Sequence, residues 1–316
     1  MPISDSPIVS RLRAVGCVFA EDEARLLKST ARTPAELDAM VDRRVAGLPL
    51  EQVLGWAEFC GLRISVAPGV FVPRRRTEFL VRQAAVLIRG DDPAGSRGDA
   101  IPPYPPGGLP AISPGGTHPP GPPLGGAPGP PVPPRPSREG MAGPGDVIVD
   151  LCCGVGAIGA ALAAAVDRAE VHAADIDPAA VRCARRNLPG PRGHVYQGDL
   201  YEPLPAALRG RVGVLVANVP YVPTSEIGLL PAEARAHEPR AALDGGADGL
   251  DVLRRVAAGA PEWLAPGGHL LIETSERQAP SAEAAFAASG LATRVARSAD
   301  LDATVVIGRR SAGQHV

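Results

Sequence analysis

Asn218-Val219-Pro220-Tyr221 places an amide, a proline and a phenol at the end of an apolar run, Val212 to Ala217. Pro220 bars the chain from continuing into a helix or an interior ladder, so the segment turns out of a strand. The side-chain oxygen of Asn218 and the backbone carbonyl of Val219 are acceptors for both N–H bonds of an incoming –NH2 group. Tyr221 offers a ring to pack on a flat substrate. An amide nitrogen is a poor nucleophile because its lone pair is delocalised into the carbonyl. Holding it still and aiming that lone pair is work for positioning and fixed dipoles. A strand-ending turn would use the same four residue types, so their place in the sheet has to decide.

A second set of residues lies upstream. In "DLCCGVGAIG", Gly154, Gly156 and Gly159 fit G-x-G-x-x-G, a turn in which small residues let a ligand approach the backbone. About twenty residues on, the next strand ends at Asp175, where a carboxylate accepts the hydroxyls of a bound ribose. Asp177 is the better placed of the two acids to cap the helix that opens at Pro178. Together the loop and Asp175 imply an adenosine-containing cofactor, and both NAD and S-adenosylmethionine (SAM) satisfy them.

The elements that must position these groups follow from periodicity. Residues 1–50 read as short amphipathic helices; Thr33, Pro34 and Glu36 form a capping-box start for the third. Residues 51–90 read as a hairpin and a linking helix. The stretch 91–145 is dominated by Pro and Gly with few aliphatic residues and reads as a disordered, partly polyproline-II insertion. From 146 to 310 strands alternate with helices, which implies a parallel sheet with helices on both faces, and 311–316 is a tail. The last two strands have no helix between them, so one of them should run antiparallel. Ligands of such a sheet bind at the carboxyl ends of its strands. Asn218 follows the fourth of these strands and so projects beside the cofactor's reactive end, an arrangement that methyl transfer to a planar nitrogen needs and hydride transfer does not.

These motifs together resemble the HemK/PrmC family of protein-(glutamine-N5) methyltransferases, whose best-known members methylate the Gly-Gly-Gln glutamine of peptide-chain release factors. The resemblance runs from about Leu48 to Arg309. It is carried by "PRRRTE" (Pro73, Arg74, Thr77 and Glu78 match), "DLCCGVGAIGAALA", "ADIDPAAVRCARRN", "GDL", "NVPY", "EPRAALDGGADGL" and "LLIETSERQ". It implies an α/β fold, a Rossmann-like class I SAM-dependent methyltransferase sheet with a small N-terminal helical domain and a β-hairpin. It also implies that Asp150 and the loop Cys152, Cys153, Gly154, Val155 and Gly156 line the methionine part of SAM. By the same resemblance Asp175 holds the ribose, Asp199 and Leu200 flank the adenine, and Asn218, Val219, Pro220 and Tyr221 bind the glutamine amide. The implied partner is a class I release factor or another glutamine-bearing protein of translation. Three departures stand out. Val219 replaces the family's first proline and keeps the carbonyl acceptor. Cys152-Cys153 replaces Gly-Thr, both residues being small enough to fit. The N-terminal helical part is shorter than usual for the family.

Composition narrows the alternatives. A net charge of −2, 3% aromatic residues and no dense basic run beyond Arg74–Arg76 argue against a nucleic-acid amino methyltransferase, since base flipping calls for a basic channel and stacking rings. A SAM-binding module without turnover is opposed by the intact Asn218, Tyr221 and Asp175. The five cysteines include no CxxC pair and none shares a histidine at ligand spacing, so no metal site is expected. An odd cysteine count suits a reducing compartment. With no signal peptide and no apolar span of transmembrane length evident, the expected location is cytoplasmic, away from membranes.

Overall fold

The computed structural model describes residues 7–90 and 147–312. The expected insertion over 91–145 and most of the tail lie outside them. The chain opens with α1 (Pro7–Ala14), α2 (Ala20–Thr30), α3 (Pro34–Val45) and α4 (Leu50–Leu54). Thr33 caps α3 by accepting from Glu36 N–H at 3.1 Å, while the Glu36 carboxylate accepts from Arg32 N–H at 2.8 Å. The reciprocal bond of the box therefore reaches one residue further back than Thr33. These helices close over a core of their own, with Leu12, Leu27, Met40 and Val41 at its centre and Val53 and Leu54 of α4 included. The helical cluster thus extends past residue 50.

The hairpin β1 (Trp56–Phe59) and β2 (Leu62–Ser65) follows, then α5 (Glu78–Arg89). Both belong to the core of the main sheet: Phe59, Ile64, Leu80 and Ala84 share one apolar cluster with Ile148, Leu162 and Val216. The hairpin and α5 are therefore one layer of the main sheet's unit rather than a bridge to it.

The sheet is built from β3 (Val147–Leu151), α6 (Ala157–Ala165), β4 (Glu170–Asp175), α7 (Pro178–Asn187), β5 (Gly193–Gln197), β6 (Val212–Ala217), α8 (Ala232–His237), α9 (Asp251–Trp263), β7 (Leu264–Thr274), α10 (Ala279–Ala288), β8 (Leu291–Ser298) and β9 (Ala303–Arg310). Its order is β5-β4-β3-β6-β7-β9-β8. The first five strands run parallel, and β9 is antiparallel to both its neighbours. Every residue of β3 and β6 is buried, as expected of central strands covered on both faces. Alternation splits them. Ile148 and Val216 face α5, α6 and the hairpin, while Val149, Leu151 and Leu215 face α9 and α10. The strand order reverses between β3 and β6, so their carboxyl ends open a crevice at the switch point. Among the described residues no helix is long and apolar enough to cross a membrane.

Candidate active site

A cavity of about 990 Å³ fills that crevice. Its floor is the turn after β3, one wall is the ends of β4 and β5, and the other is the segment after β6.

The turn after β3 is shaped by backbone conformation. Cys152, Gly154 and Gly156 all lie in the left-handed region, at φ 53°, 54° and 76°. Gly154 faces the cavity with open space where a Cβ would stand, which leaves its backbone approachable. A Cβ on Gly156 would come within 3.0 Å of Ala184 on α7, and one on Gly159 within 3.2 Å of the Asp150 carboxylate. The three glycines thus serve ligand approach, the helix start and close helix packing in turn. Cys152 corrects the expectation that small size is what this position asks for. It asks for φ > 0, which costs a non-glycine residue about 1–2 kcal/mol, and that accounts for the glycine of the resemblance.

Asp175 lies at the end of β4. One carboxylate oxygen accepts from Gly154 N–H and the other from Asp177 N–H, each at 2.8 Å. Burial raises its pKa, and these two bonds oppose the rise. Each oxygen keeps acceptor capacity toward the cavity. Asp177 caps α7 through Ala179 N–H at 2.8 Å, the role expected of it, and Asp175 is the acid that lines the cavity. Asp199 and Leu200 line the same wall, with Asp199 paired to Arg255 at 2.6 Å. Ile176, 59% exposed beside Asp175, also lines the cavity. The sequence reading passed over it because an aliphatic residue at a strand end looks like core. Its exposure here offers, with Leu200, apolar surface for a flat ring.

Asp150, Cys153, Val155 and Gly156 are set back from the cavity. Asp150 is fully buried and accepts from Gly159 N–H at 2.9 Å, while its second oxygen has no partner. Burial first, then the nearby Asp175 charge, push its pKa to about 7 against the pull of the Gly159 bond. Cys153 and Val155 belong to the core. Burial raises the pKa of both Cys152 and Cys153 well beyond the ordinary thiol range.

On the opposite wall, Asn218, Val219, Pro220 and Tyr221 all line the cavity. The Asn218 side-chain oxygen is buried without a hydrogen-bond partner, a condition that costs about 1–3 kcal/mol until a donor arrives. The segment is clamped from behind. Val222 N–H donates to the Leu243 carbonyl and the Val222 carbonyl accepts from Gly245 N–H. The Gln278 side-chain NH2 donates to the carbonyls of Tyr221 and Asp248, both at 2.9 Å. A Cβ on Gly245 would lie 2.6 Å from the Pro220 carbonyl oxygen, and one on Gly249 2.3 Å from that of Tyr221. The Tyr221 hydroxyl is held by Arg76, whose guanidinium also pairs with the buried Glu273 at 3.1 Å. Burial raises the Tyr221 pKa, so the phenol stays neutral. Arg74 pairs with the buried Glu238. None of Arg76, Glu238, Gly249 or Gln278 was assigned to the site from sequence. Two of the matched blocks, "EPRAALDGGADGL" and "LLIETSERQ", contained the signal for three of them.

Residues 141–234 match the methyltransferase small domain family. A release factor glutamine methyltransferase of Geobacter sulfurreducens is 33% identical over 262 residues, 81% of this chain and 72% of that protein. The chain belongs to the release factor glutamine methyltransferase family. A second member, from Streptomyces coelicolor, is 34% identical over 77% of this chain and 70% of its own length. At 33% identity, over 79% of this chain and 69% of the other, the chain also matches a 4-amino-L-phenylalanine/4-methylamino-L-phenylalanine methyltransferase of Streptomyces pristinaespiralis. A solved methyltransferase from Pyrococcus furiosus aligns over 52% of this chain and 75% of that one, at 16% identity and a TM-score of 0.41. As a release factor glutamine methyltransferase family member, the chain is a SAM-dependent enzyme. Its cavity fits that cofactor: the Gly154 backbone is open, the Asp175 carboxylate has acceptor capacity to spare, and Ile176 presents apolar surface on the same wall.

Proposed function

We propose that the protein methylates the side-chain amide nitrogen (N5) of a glutamine in a protein, the Gly-Gly-Gln glutamine of a class I peptide-chain release factor. In this reading Asp175 holds the ribose hydroxyls, Ile176, Asp199 and Leu200 border the adenine, and Cys152 and Gly154 border the methionine part. Asp150, Cys153, Val155 and Gly156 hold that loop in shape from behind. When bound, SAM supplies an electrophilic methyl carried on a sulfonium. Asn218 accepts one N–H of the glutamine amide on its side-chain oxygen, and the Val219 carbonyl accepts the other. Tyr221, fixed by Arg76 and Gln278, covers the planar face of the amide. The single observation that carries the reading is the buried, unpartnered Asn218 oxygen on the wall opposite Asp175.

A second acceptor is favoured by one observation, the match to a methyltransferase whose name specifies an aromatic amine. Both acceptors present –NH2 on a flat conjugated group, and Asn218 would hold either. The rim favours the protein: Leu229 lines the cavity and is 82% exposed, apolar surface that a free amino acid would leave uncovered. The test is to incubate the protein with labelled SAM and, in parallel, a class I release factor, 4-amino-L-phenylalanine and adenine-rich DNA. Label on the Gly-Gly-Gln glutamine is expected. Label on the aromatic amine or the DNA alone would overturn the assignment of the acceptor while leaving the methyltransferase in place.

A further inference from the structure

At the other end of the sheet, β4 and β5 bring together residues unrelated to the cavity. His172 pairs in register with His194 across the parallel ladder. Glu170, two residues before His172, points to the same face. The two imidazole rings stack with centroids 4.7 Å apart. One Glu170 carboxylate oxygen lies 3.2 Å from His172 Nε2 and 3.4 Å from His194 Nε2. All three ligand atoms fall within 4.8 Å of one another. A tetrahedral ion bonded at ~2.0–2.2 Å to nitrogen and oxygen separates its ligands by roughly 3.3 Å, the spacing that the carboxylate already keeps to both rings. His172 Nδ1 lies 3.0 Å from the Tyr196 hydroxyl, the kind of second partner that fixes a ligating histidine's tautomer.

We propose that Glu170, His172 and His194 bind one divalent transition-metal ion, zinc being the best match, as a clip between β4 and the edge strand β5. Two imidazoles and one carboxylate suit zinc, and water completes the shell on the half-exposed side of Glu170 and His194. The site lies three to five residues upstream of Asp175, roughly 10–17 Å along the strand, so the ion takes no part in methyl transfer. Its work is to staple the strand that is outermost among the described residues.

Sequence spacing concealed this group. Its histidines are 22 positions apart and meet only because β4 and β5 pair in register. The experiment is a zinc titration of the untagged full-length protein, stripped of metal, by calorimetry and by competition with a chromogenic chelator. One equivalent should bind and raise the melting temperature. His194→Ala and Glu170→Gln, both at half-exposed positions, should each weaken binding by more than about 100-fold, beyond the loss of a supporting hydrogen bond, while Tyr196→Phe should cost about tenfold. Cobalt substituted for zinc should show ligand-field bands without thiolate charge-transfer absorption. Zinc affinity unchanged in both ligand variants would overturn the proposal, and so would thiolate charge transfer, which would place the ion on the cysteines.

Discussion

The two walls of the cavity are built in opposite ways. The wall proposed for the cofactor is mostly local: a turn at positive φ, a helix, and the carboxylate that ends the next strand lie within 26 residues from Asp150 to Asp175, and only Asp199 and Leu200 come from further along, at the end of β5. Its bonds are mostly from backbone N–H to side chain, as in Gly154 to Asp175 and Gly159 to Asp150. The wall proposed for the acceptor is assembled. Asn218–Tyr221 stands where it does because Arg76, Leu243, Gly245, Gly249 and Gln278, drawn from three distant segments, hold it. A cofactor common to many reactions can be read by a compact motif. An acceptor that differs from one enzyme to the next is held by parts that can change separately.

The contrast predicts separable losses. Asn218→Ala should lower single-turnover methyl transfer by on the order of 100- to 1000-fold, the cost of removing one positioned polar group, with SAM affinity by calorimetry nearly unchanged. An equal loss of both would join the two walls and break the comparison. Asp175→Ala should do the reverse. SAM binding should weaken by about 1.5–3 kcal/mol, the worth of charge-assisted hydrogen bonds, and saturating SAM should restore most of the rate. An unchanged Kd would refute the ribose assignment. Gln278→Ala removes the bonds to the Tyr221 and Asp248 carbonyls and should cost about fivefold in kcat at roughly 1 kcal/mol of positioning, again sparing SAM. A selective loss of SAM affinity would show that the clamp serves the other wall.

Two finer tests concern stability. The folded pKa of Asp150 is about 7 against an ordinary value of 3.8. Between these values the native state keeps a proton that the unfolded chain has lost. This site's contribution is therefore full below about pH 4, falls as pH rises through 7, and then levels off. Asp150→Asn, which preserves an acceptor for Gly159 N–H, should remove that slope from denaturant midpoints measured between pH 4 and 8. A slope unchanged in the variant would place the proton elsewhere. Cys152→Gly relieves a left-handed backbone and should stabilise the protein by up to about 1 kcal/mol after the entropy of glycine is counted. A lower melting temperature would mean that the thiol's packing outweighs the strain.

The same contrast explains what the sequence disclosed. The parallel sheet, its antiparallel end, the glycine turn and the Asp177 cap of α7 were all legible, because each leaves its mark in residues close together in the chain. The place of Asn218 on the cavity wall was legible from its position after the fourth strand. The clamp was legible only as matched blocks: a glutamine in "ETSERQ" or a glycine in "DGGADGL" does not say which carbonyl it meets. Ile176 was hidden by its apolar type. The hairpin and α5 read as a linker, yet they pack as one layer of the main core, since apolar periodicity shows that a face is buried without showing against what.

Gly249 carries one consequence beyond its place in the fold. At φ 79°, with the Tyr221 carbonyl oxygen 2.3 Å from where a Cβ would sit, it is a mould of the proposed acceptor motif, cast some thirty residues downstream. The two are then one inherited character written at two addresses. A lineage that replaces this glycine with any side chain must also shift the backbone at Tyr221, and should be found to have changed the group it methylates.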